Sequence, residues 1–252
     1  MTVDWVWEQA DWLTTTEVHN LPFCTVHARH ETRLAPIDPQ FDPHHTTMTV
    51  FNADLYHEPG YCMGDDDVSR TICRVGHWEP VESASFVNAI RGSSDGSVVI
   101  DFGAQIGWYS RLASVYRCPV LAIEAVPEHV DLLRQNTPST VAVAMMWVDG
   151  AVCPISATNA PRVACAKIDI EGGEVHAMWM LSELLDAGLV DNILMEVSPV
   201  FNDTYPGIIR DLMGRGFTAE VCNPHQPFAF DEIDAVVAQS PQVDMMFRKA
   251  TK

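Results

Sequence analysis

From Ser97 onward, short apolar runs alternate with segments of helical pattern, and this alternation restricts the chain to few folds. Buried strands are predicted at 98–102, 120–124, 141–144, 162–170, 192–197, 217–221 and 243–248, and helices at 107–117, 127–135, 173–187 and 204–215. Such alternation predicts an α/β fold with a mostly parallel sheet covered on both faces. No good crossover helix separates the last two strands, so we expect an antiparallel hairpin with a long insertion at 222–242.

The segment before residue 93 has a different character. Residues 1–92 are irregular and rich in aromatic residues, His and Pro, with a strand-like run at 47–51. We therefore expect an N-terminal cap or substrate region at 1–92 and the α/β domain at 93–252. The aromatic residues of the cap suit a partly apolar small molecule, and they suit a plain hydrophobic core equally well. They are Trp5, Trp7, Trp12, Phe23, Phe41, Phe51, Tyr56 and Tyr61.

The net charge of −19, from 15 basic and 34 acidic residues, restricts the partners. So acidic a surface repels nucleic acids and anionic membranes, and the arginines form no basic cluster, so neither partner is expected.

The seven cysteines are odd in number and include no CxxC pair, which argues against a disulfide framework or a thiolate zinc site. The start lacks a basic signal region and no apolar run approaches ~18 residues, so we expect a soluble, cytoplasmic protein.

The segment VVIDFGAQIGWYS, Val98–Ser110, places a glycine turn between the first strand and its helix. Gly103 lets the backbone turn and approach a ligand, and Gly107 opens a helix whose free N–H groups point back at the crevice. Dinucleotide sites need G-x-G-x-x-G, but Gln105 occupies the second glycine position here. Glu124, at the end of the second strand, can accept two hydrogen bonds from ribose hydroxyls. Together these features predict a nucleoside site without phosphate, as S-adenosylmethionine needs; a tight turn with a surface glutamate is the alternative.

A further motif, AKIDIEGGEVHAMWML at 166–181, places acidic residues at the end of the fourth strand. Lys167, Asp169 and Glu171 alternate along this strand, and side chains two residues apart share a face. Asp169 and Glu171 are therefore expected to face the edge of the crevice together. The alternative is a turn with solvated acids.

Four segments together resemble the FkbM-type family of class I S-adenosylmethionine-dependent methyltransferases. They are VVIDFGAQIGWYS, LAIEAVPEHVDLLRQN, KIDIEGGEVHAM and ILMEVSP, and the resemblance covers residues 67–197. It implies a Rossmann-like, mostly parallel seven-stranded sheet with an antiparallel last strand. It also implies methyl transfer, often to a hydroxyl of a small natural product or sugar. Gln105 in place of the family's Asn, and Ala125-Val126-Pro127 in place of Pro-x-Pro, are the two departures.

The resemblance implies which residues bind the cofactor. The glycine turn would line its methionine side, and the acid that ends the second strand would bind its ribose. Glu79 matches an acid of the family and, with His77 and Trp78, could close over the sulfonium; the alternative is a helix start packed by one Trp. The implied cofactor-binding residues are Glu79, Asp101, Gly103, Ala104, Gln105, Gly107, Glu124, Ala125 and Asp169.

Transfer to a hydroxyl requires a proton acceptor near the end of the fourth strand. We predict Asp169 as this base, with Glu171 second and His77 third. A metal-assisted version would place Mg²⁺ between Asp169 and Glu196, but no third ligand is evident in the sequence, so no metal site is predicted. Two other functions stay open: a non-catalytic cofactor-binding or scaffold subunit, and a dinucleotide oxidoreductase, which the glycine spacing disfavours.

Overall fold

The computed structural model describes residues 5, 29–33, 47–51, 67–91, 93–149, 153–201, 203–239 and 241–250. Two strands form a separate antiparallel pair, β1 (Arg29–Arg33) and β2 (Thr47–Phe51). The main sheet contains β3 (Val98–Phe102), β4 (Val120–Glu124), β5 (Val141–Met145), β6 (Val163–Ile168), β7 (Asn192–Val197), β8 (Phe217–Val221), β9 (Gln226–Phe228) and β10 (Val243–Lys249). The helices are α1 (Asp67–Val75), α2 (Pro80–Arg91), α3 (Trp108–Val115), α4 (Pro127–Asn136), α5 (Glu174–Met180), α6 (Ser182–Asp186), α7 (Tyr205–Gly214) and α8 (Ile233–Gln239).

The strand order of the main sheet is β5-β4-β3-β6-β7-β10-β8-β9. Strands β3 to β7 are parallel, and β10 runs antiparallel to both of its neighbours. The predicted α/β fold with an antiparallel last strand is confirmed. The predicted count of seven strands is wrong, because part of the 222–242 insertion folds back along β8 as the eighth strand, β9. The order reverses between β3 and β6, which opens a crevice at the carboxyl ends of these strands.

Burial on both faces explains why the central strands are mostly apolar. Every residue of β3, β4 and β6 is buried. On one face, Ile100 and Leu121 pack in a layer with α5, α6 and α7. On the other, Val99 and Ala122 pack in a layer with α2, α3 and α4. Burial of one large apolar side chain contributes roughly 1.5–3 kcal/mol, so this double-sided core holds the carboxyl ends of the strands in place.

Residues from the predicted cap contribute to both layers. Met48 and Ile72 are buried on the side of α2, whereas Trp5 is buried on the opposite side. The strand predicted at 47–51 is β2. The cap residues Trp7, Trp12, Phe23, Phe41, Tyr56 and Tyr61 lie outside the described residues. Among the described helices, none has the length and apolar character that a membrane span needs.

Candidate functional site

The turn between β3 and α3 lies at the crevice. Asp101 is buried at the end of β3, and Ser110 Oγ donates a hydrogen bond to its Oδ2 at 2.6 Å. Gly103 and Gly107 have positive φ angles of 76° and 95°, and the intervening Gln105 is also left-handed, at 47°. This conformation costs a non-glycine residue roughly 1–2 kcal/mol. It directs the backbone N–H of Gln105 toward the end of β4.

Glu124 is the acceptor for that N–H group. Its Oε2 accepts from Gln105 N at 2.8 Å, and its Oε1 accepts from Ala125 N and Val126 N, each at 2.8 Å. Burial raises the pKa of Glu124, but hydrogen bonds from His129 and the backbone outweigh burial and lower it below the usual range. The structure thus places an ionised, buried carboxylate at the end of β4, one strand away from the reversal of strand order.

Gly103 makes its closest approach to the backbone of a second turn. A Cβ atom at this position would lie 1.8 Å from the carbonyl oxygen of Asp169. The glycine therefore allows the turn after β3 to contact the turn after β6; its approach to a ligand stays a prediction. At Gly107, an added Cβ would lie 2.7 Å from Leu133 Cδ1, so this glycine lets α3 pack against α4.

The strand predicted at 162–170 ends at Ile168, so Asp169 and Glu171 lie in the turn that follows. The expectation that they share a strand face is therefore wrong, although the turn still brings them together. Asp169 N donates to Phe102 O at 3.1 Å, which fixes the start of the turn. Glu171 is exposed and has a φ of 52°.

Three carboxylates meet beside this turn. Asp169, Glu171 and Glu196 each offer an oxygen atom, and these atoms all lie within 4.8 Å of one another. Glu196 is buried, and Ser198 Oγ donates to its Oε1 at 2.6 Å. Burial, together with the negative charge of Asp169, raises the pKa of Glu196 to about 8. Glu171 is thus in place to be the third oxygen ligand that the sequence analysis did not find, and such oxygens suit Mg²⁺.

A buried lysine, which the sequence analysis quoted without a role, lies next to Asp169. Lys167 Nζ is 3.0 Å from Asp169 Oδ2 and 3.6 Å from Oδ1 of Asp244, a residue of β10. It also lies 5.1 Å from the centre of the Tyr109 ring. Burial lowers the pKa of Lys167, but the carboxylates of Asp169 and Asp244 raise it well above its usual value. Lys167 therefore carries its charge, and its partners come from three separate elements.

Glu79, immediately before α2, joins this group through Tyr109. Tyr109 Oη donates to Glu79 Oε2 at 2.6 Å. Burial raises the pKa of Glu79 to about 7, and the positive charge of Lys167 partly offsets this effect. His77, two residues earlier, is half-buried, and its Nδ1 has no hydrogen-bond partner in the described part of the chain. Glu79 is thus linked to Lys167 through Tyr109. Among the described residues, no such link is seen for His77.

Three of the five described non-glycine residues with left-handed backbone lie at the candidate site. Glu79, Gln105 and Glu171 have positive φ, as do Arg117 and Asn159 elsewhere in the described residues. Such residues persist where the surrounding structure holds them, and they cluster at functional sites. Sequence reasoning singled out the first three as site residues but had no signal for their conformation.

Comparison with known proteins bears on the fold. No family model and no curated protein matches the chain. A TehB-like SAM-dependent methyltransferase from Corynebacterium glutamicum has 14% identity and a TM-score of 0.50, with 72% of this chain and 94% of that chain covered. A precorrin-6y C5,15-methyltransferase from Geobacter metallireducens has 17% identity and a TM-score of 0.42, with 67% and 86% covered. The first similarity shows that the fold is the Rossmann-like methyltransferase fold.

The Asp101→Asn variant is expected to gain stability relative to wild type as the pH rises. Burial raises the pKa of Asp101 from 3.8 to about 6, so the folded wild type binds a proton that the unfolded chain has released. The stabilisation of the folded state by this proton is complete below pH 3.8 and is lost as the pH rises to about 6. At 1.36 kcal/mol per pH unit, and because the unfolded carboxyl is already more than half ionised at pH 4, Asp101→Asn should gain about 2.5 kcal/mol relative to wild type between pH 4 and pH 7.5.

Urea unfolding of both proteins across this pH range measures the effect. Ser110 Oγ can donate to the Asn oxygen as it does to the carboxylate, so the fold should persist. A difference between variant and wild type that stays constant with pH would contradict the assignment.

Proposed function

We propose that the protein is an S-adenosylmethionine-dependent methyltransferase. One observation carries this proposal: the buried, ionised carboxylate of Glu124 ends β4, the strand next to β3 and its glycine turn, one strand away from the reversal of strand order. Fold similarity to one solved methyltransferase, together with the resemblance of the four sequence motifs, supports it. The proposed cofactor-binding residues are those implied by the resemblance, with Glu124 at the ribose and the turn 101–107 at the methionine side.

The contacts of Glu124 test whether the site fits this cofactor. A carboxylate offers about four acceptor positions, and backbone N–H groups occupy three of them. His129, whose Nδ1 lies 3.6 Å from Oε1, takes up the fourth position. A ribose hydroxyl would therefore bind Glu124 in place of His129, so we expect one hydroxyl there and not the two expected from the sequence. The bound cofactor would supply an electrophilic methyl group on a sulfonium.

For the acceptor, we propose a hydroxyl of a small molecule, such as a natural product or a sugar, in the cytoplasm. Asp169 is the proposed base, because its side chain is one-quarter exposed at the crevice and one of its oxygens is held by Lys167. Glu171 is exposed beside it, and His77 remains the third candidate. Residues 1–92 are proposed to cap the acceptor, and 93–252 to bind the cofactor.

Calorimetry tests the function directly. We expect S-adenosylmethionine and its demethylated product S-adenosylhomocysteine to bind, and NAD not to bind, because Gln105 occupies the position of the second dinucleotide glycine. Binding of NAD alone would support the oxidoreductase reading instead. Binding of the two methionine-derived ligands without methyl transfer to any acceptor would favour a cofactor-binding subunit.

A second candidate is a methyltransferase assisted by Mg²⁺, and the three carboxylates of Asp169, Glu171 and Glu196 favour it. A divalent ion there would lower the pKa of an acceptor hydroxyl. Because Glu196 has a pKa of about 8, a bound ion must displace its proton, so affinity should rise from pH 6 to pH 8.5.

Titration with Mn²⁺ followed by electron paramagnetic resonance tests this candidate. The Glu196→Gln variant should weaken binding about tenfold or more, since it removes a charged ligand. As the matched control, Glu232→Gln alters an exposed carboxylate elsewhere and should bind Mn²⁺ as wild type does. The absence of binding at millimolar Mn²⁺ at pH 8.5 would reject the metal-assisted version.

A further inference from the structure

Lys167 occupies an unusual position for a lysine. Its side chain is 2% exposed, yet its ammonium is charged and points to the carboxyl edge of the sheet. Burial of such a group is costly, and replacing a buried ion pair with apolar residues is often neutral or stabilising. The position of this lysine is therefore weak evidence for a role in stability alone.

The partners of Lys167 come from elements far apart in the sequence. Asp169 Oδ2, in the turn after β6, is 3.0 Å from the ammonium, and Asp244 Oδ1, on β10, is 3.6 Å from it. The Tyr109 ring of α3 lies 5.1 Å from the same nitrogen, a distance at which the face of the ring attracts a cation. Asp244 also lies directly opposite Glu196 in the register of β10 and β7.

Tyr109 extends the contact to Glu79. Its hydroxyl donates to Glu79 Oε2 at 2.6 Å, so the ring restrains one oxygen of this carboxylate. Two carboxylates on different elements, Asp169 and Glu79, are thus held through one ammonium and one ring. The contact of Lys167 with Asp169 is local in sequence, whereas that of Tyr109 with Glu79 joins residues 30 positions apart.

We propose that Lys167 is a positioning residue that fixes the carboxylates of Asp169 and Glu79 relative to each other across the crevice. It does so by binding Asp169 directly and by holding the Tyr109 ring that binds Glu79, while Asp244 restrains its ammonium from the side of β10. The proposal rests on the proposed function only in that it takes these two carboxylates to face the cofactor and the acceptor.

A double-mutant cycle on cofactor affinity tests the proposal. The variants Glu79→Gln, Asp169→Asn and their combination are titrated with S-adenosylmethionine and S-adenosylhomocysteine by calorimetry. If Lys167 couples the two carboxylates, their effects on affinity should depart from additivity by about fivefold or more, as interacting sites do. The cycle is then repeated in the background Lys167→Met/Asp244→Asn, which removes one charge of each sign.

In that background we expect the two effects to become additive within about twofold. A purely structural role for Lys167 would weaken all four proteins alike and leave the non-additivity unchanged, and this result would overturn the proposal. Effects that are additive already in the presence of Lys167 would overturn it too. If the background variant does not fold, Tyr109→Phe takes its place, because it keeps the ring and removes only the bond to Glu79.

Failure of the proposed function is distinguishable from failure of the inference. If wild type binds neither ligand, the methyltransferase assignment fails, and the same cycle is followed by the midpoint of urea unfolding. Non-additive midpoint shifts that disappear without Lys167 would still support the coupling. Additive shifts in both backgrounds would overturn it.

Discussion

Replacing Gly103 by Ala is expected to destabilise the fold by about 3–5 kcal/mol. The residue has a φ of 76°, which costs a side-chain-bearing residue roughly 1–2 kcal/mol. The added Cβ would also lie 1.8 Å from the carbonyl oxygen of Asp169, and backbone cannot move aside as a flexible side chain does. The free energy of unfolding in urea measures the loss, and cofactor affinity should fall with it, because both turns of the site would shift.

Gly188→Ala provides the matched control. Gly188 has a φ of 65°, but an added Cβ there would meet no atom within 4 Å. This variant should lose only about 1–2 kcal/mol, the cost of the left-handed backbone. Equal losses in the two variants would mean that the contact between the two turns does not exist.

Replacing Glu124 by Gln is expected to weaken cofactor affinity by about 1.5–3 kcal/mol, roughly 10- to 150-fold. The variant removes the charge of the proposed ribose acceptor. In the variant, an NH₂ group also replaces one of the two carboxylate oxygens that accept backbone N–H groups. At least one of the three hydrogen bonds is therefore lost. The free energy of unfolding should therefore fall as well. From the sequence alone, a residue at a strand end was not expected to affect stability.

Calorimetry with S-adenosylhomocysteine and urea unfolding separate the two effects. Glu232→Gln is the control, since its exposed carboxylate also accepts a backbone N–H group, that of Ala229, at 2.7 Å. It should bind the ligand as wild type does. A folded Glu124→Gln protein with unchanged affinity would remove Glu124 from the proposed site.

The central strands were predictable because they are buried on both faces. The bounds predicted for β3, β4 and β7 agree with the structure, since each is a mainly apolar run between turn residues. Those of β8 agree as well, although its burial alternates between buried Phe217 and Ala219 and exposed Thr218. By contrast, β9 has only three residues and includes Pro227, so neither length nor periodicity distinguishes it from a loop. The helix predicted at 173–187 divides at Leu181 into α5 and α6, and its continuous pattern gave no sign of that break.

In the candidate site, only the features that a local stretch of sequence specifies could be predicted, and their function stays a prediction. Glu124 and the glycine turn could be found from strand ends and glycine spacing alone. The contact of Gly103 with Asp169, and the role of Asp244, depend on which strands become neighbours, and no local pattern encodes that. Glu171 was assigned to a strand face, whereas a turn with left-handed backbone places it near Glu196.

The position of β10 has a consequence for the order of folding. It lies between β7 and β8, so β8 and β9 pair with the parallel strands only through it. During synthesis, β8 and β9 leave the ribosome before β10, the strand that lies between them and β7 in the finished sheet. Their final pairing therefore waits until β10 has been made. Asp244 reaches Lys167 in that same step. Without β10, β7 would be an edge strand of the parallel sheet, and an unpaired edge of that kind is a template for aggregation.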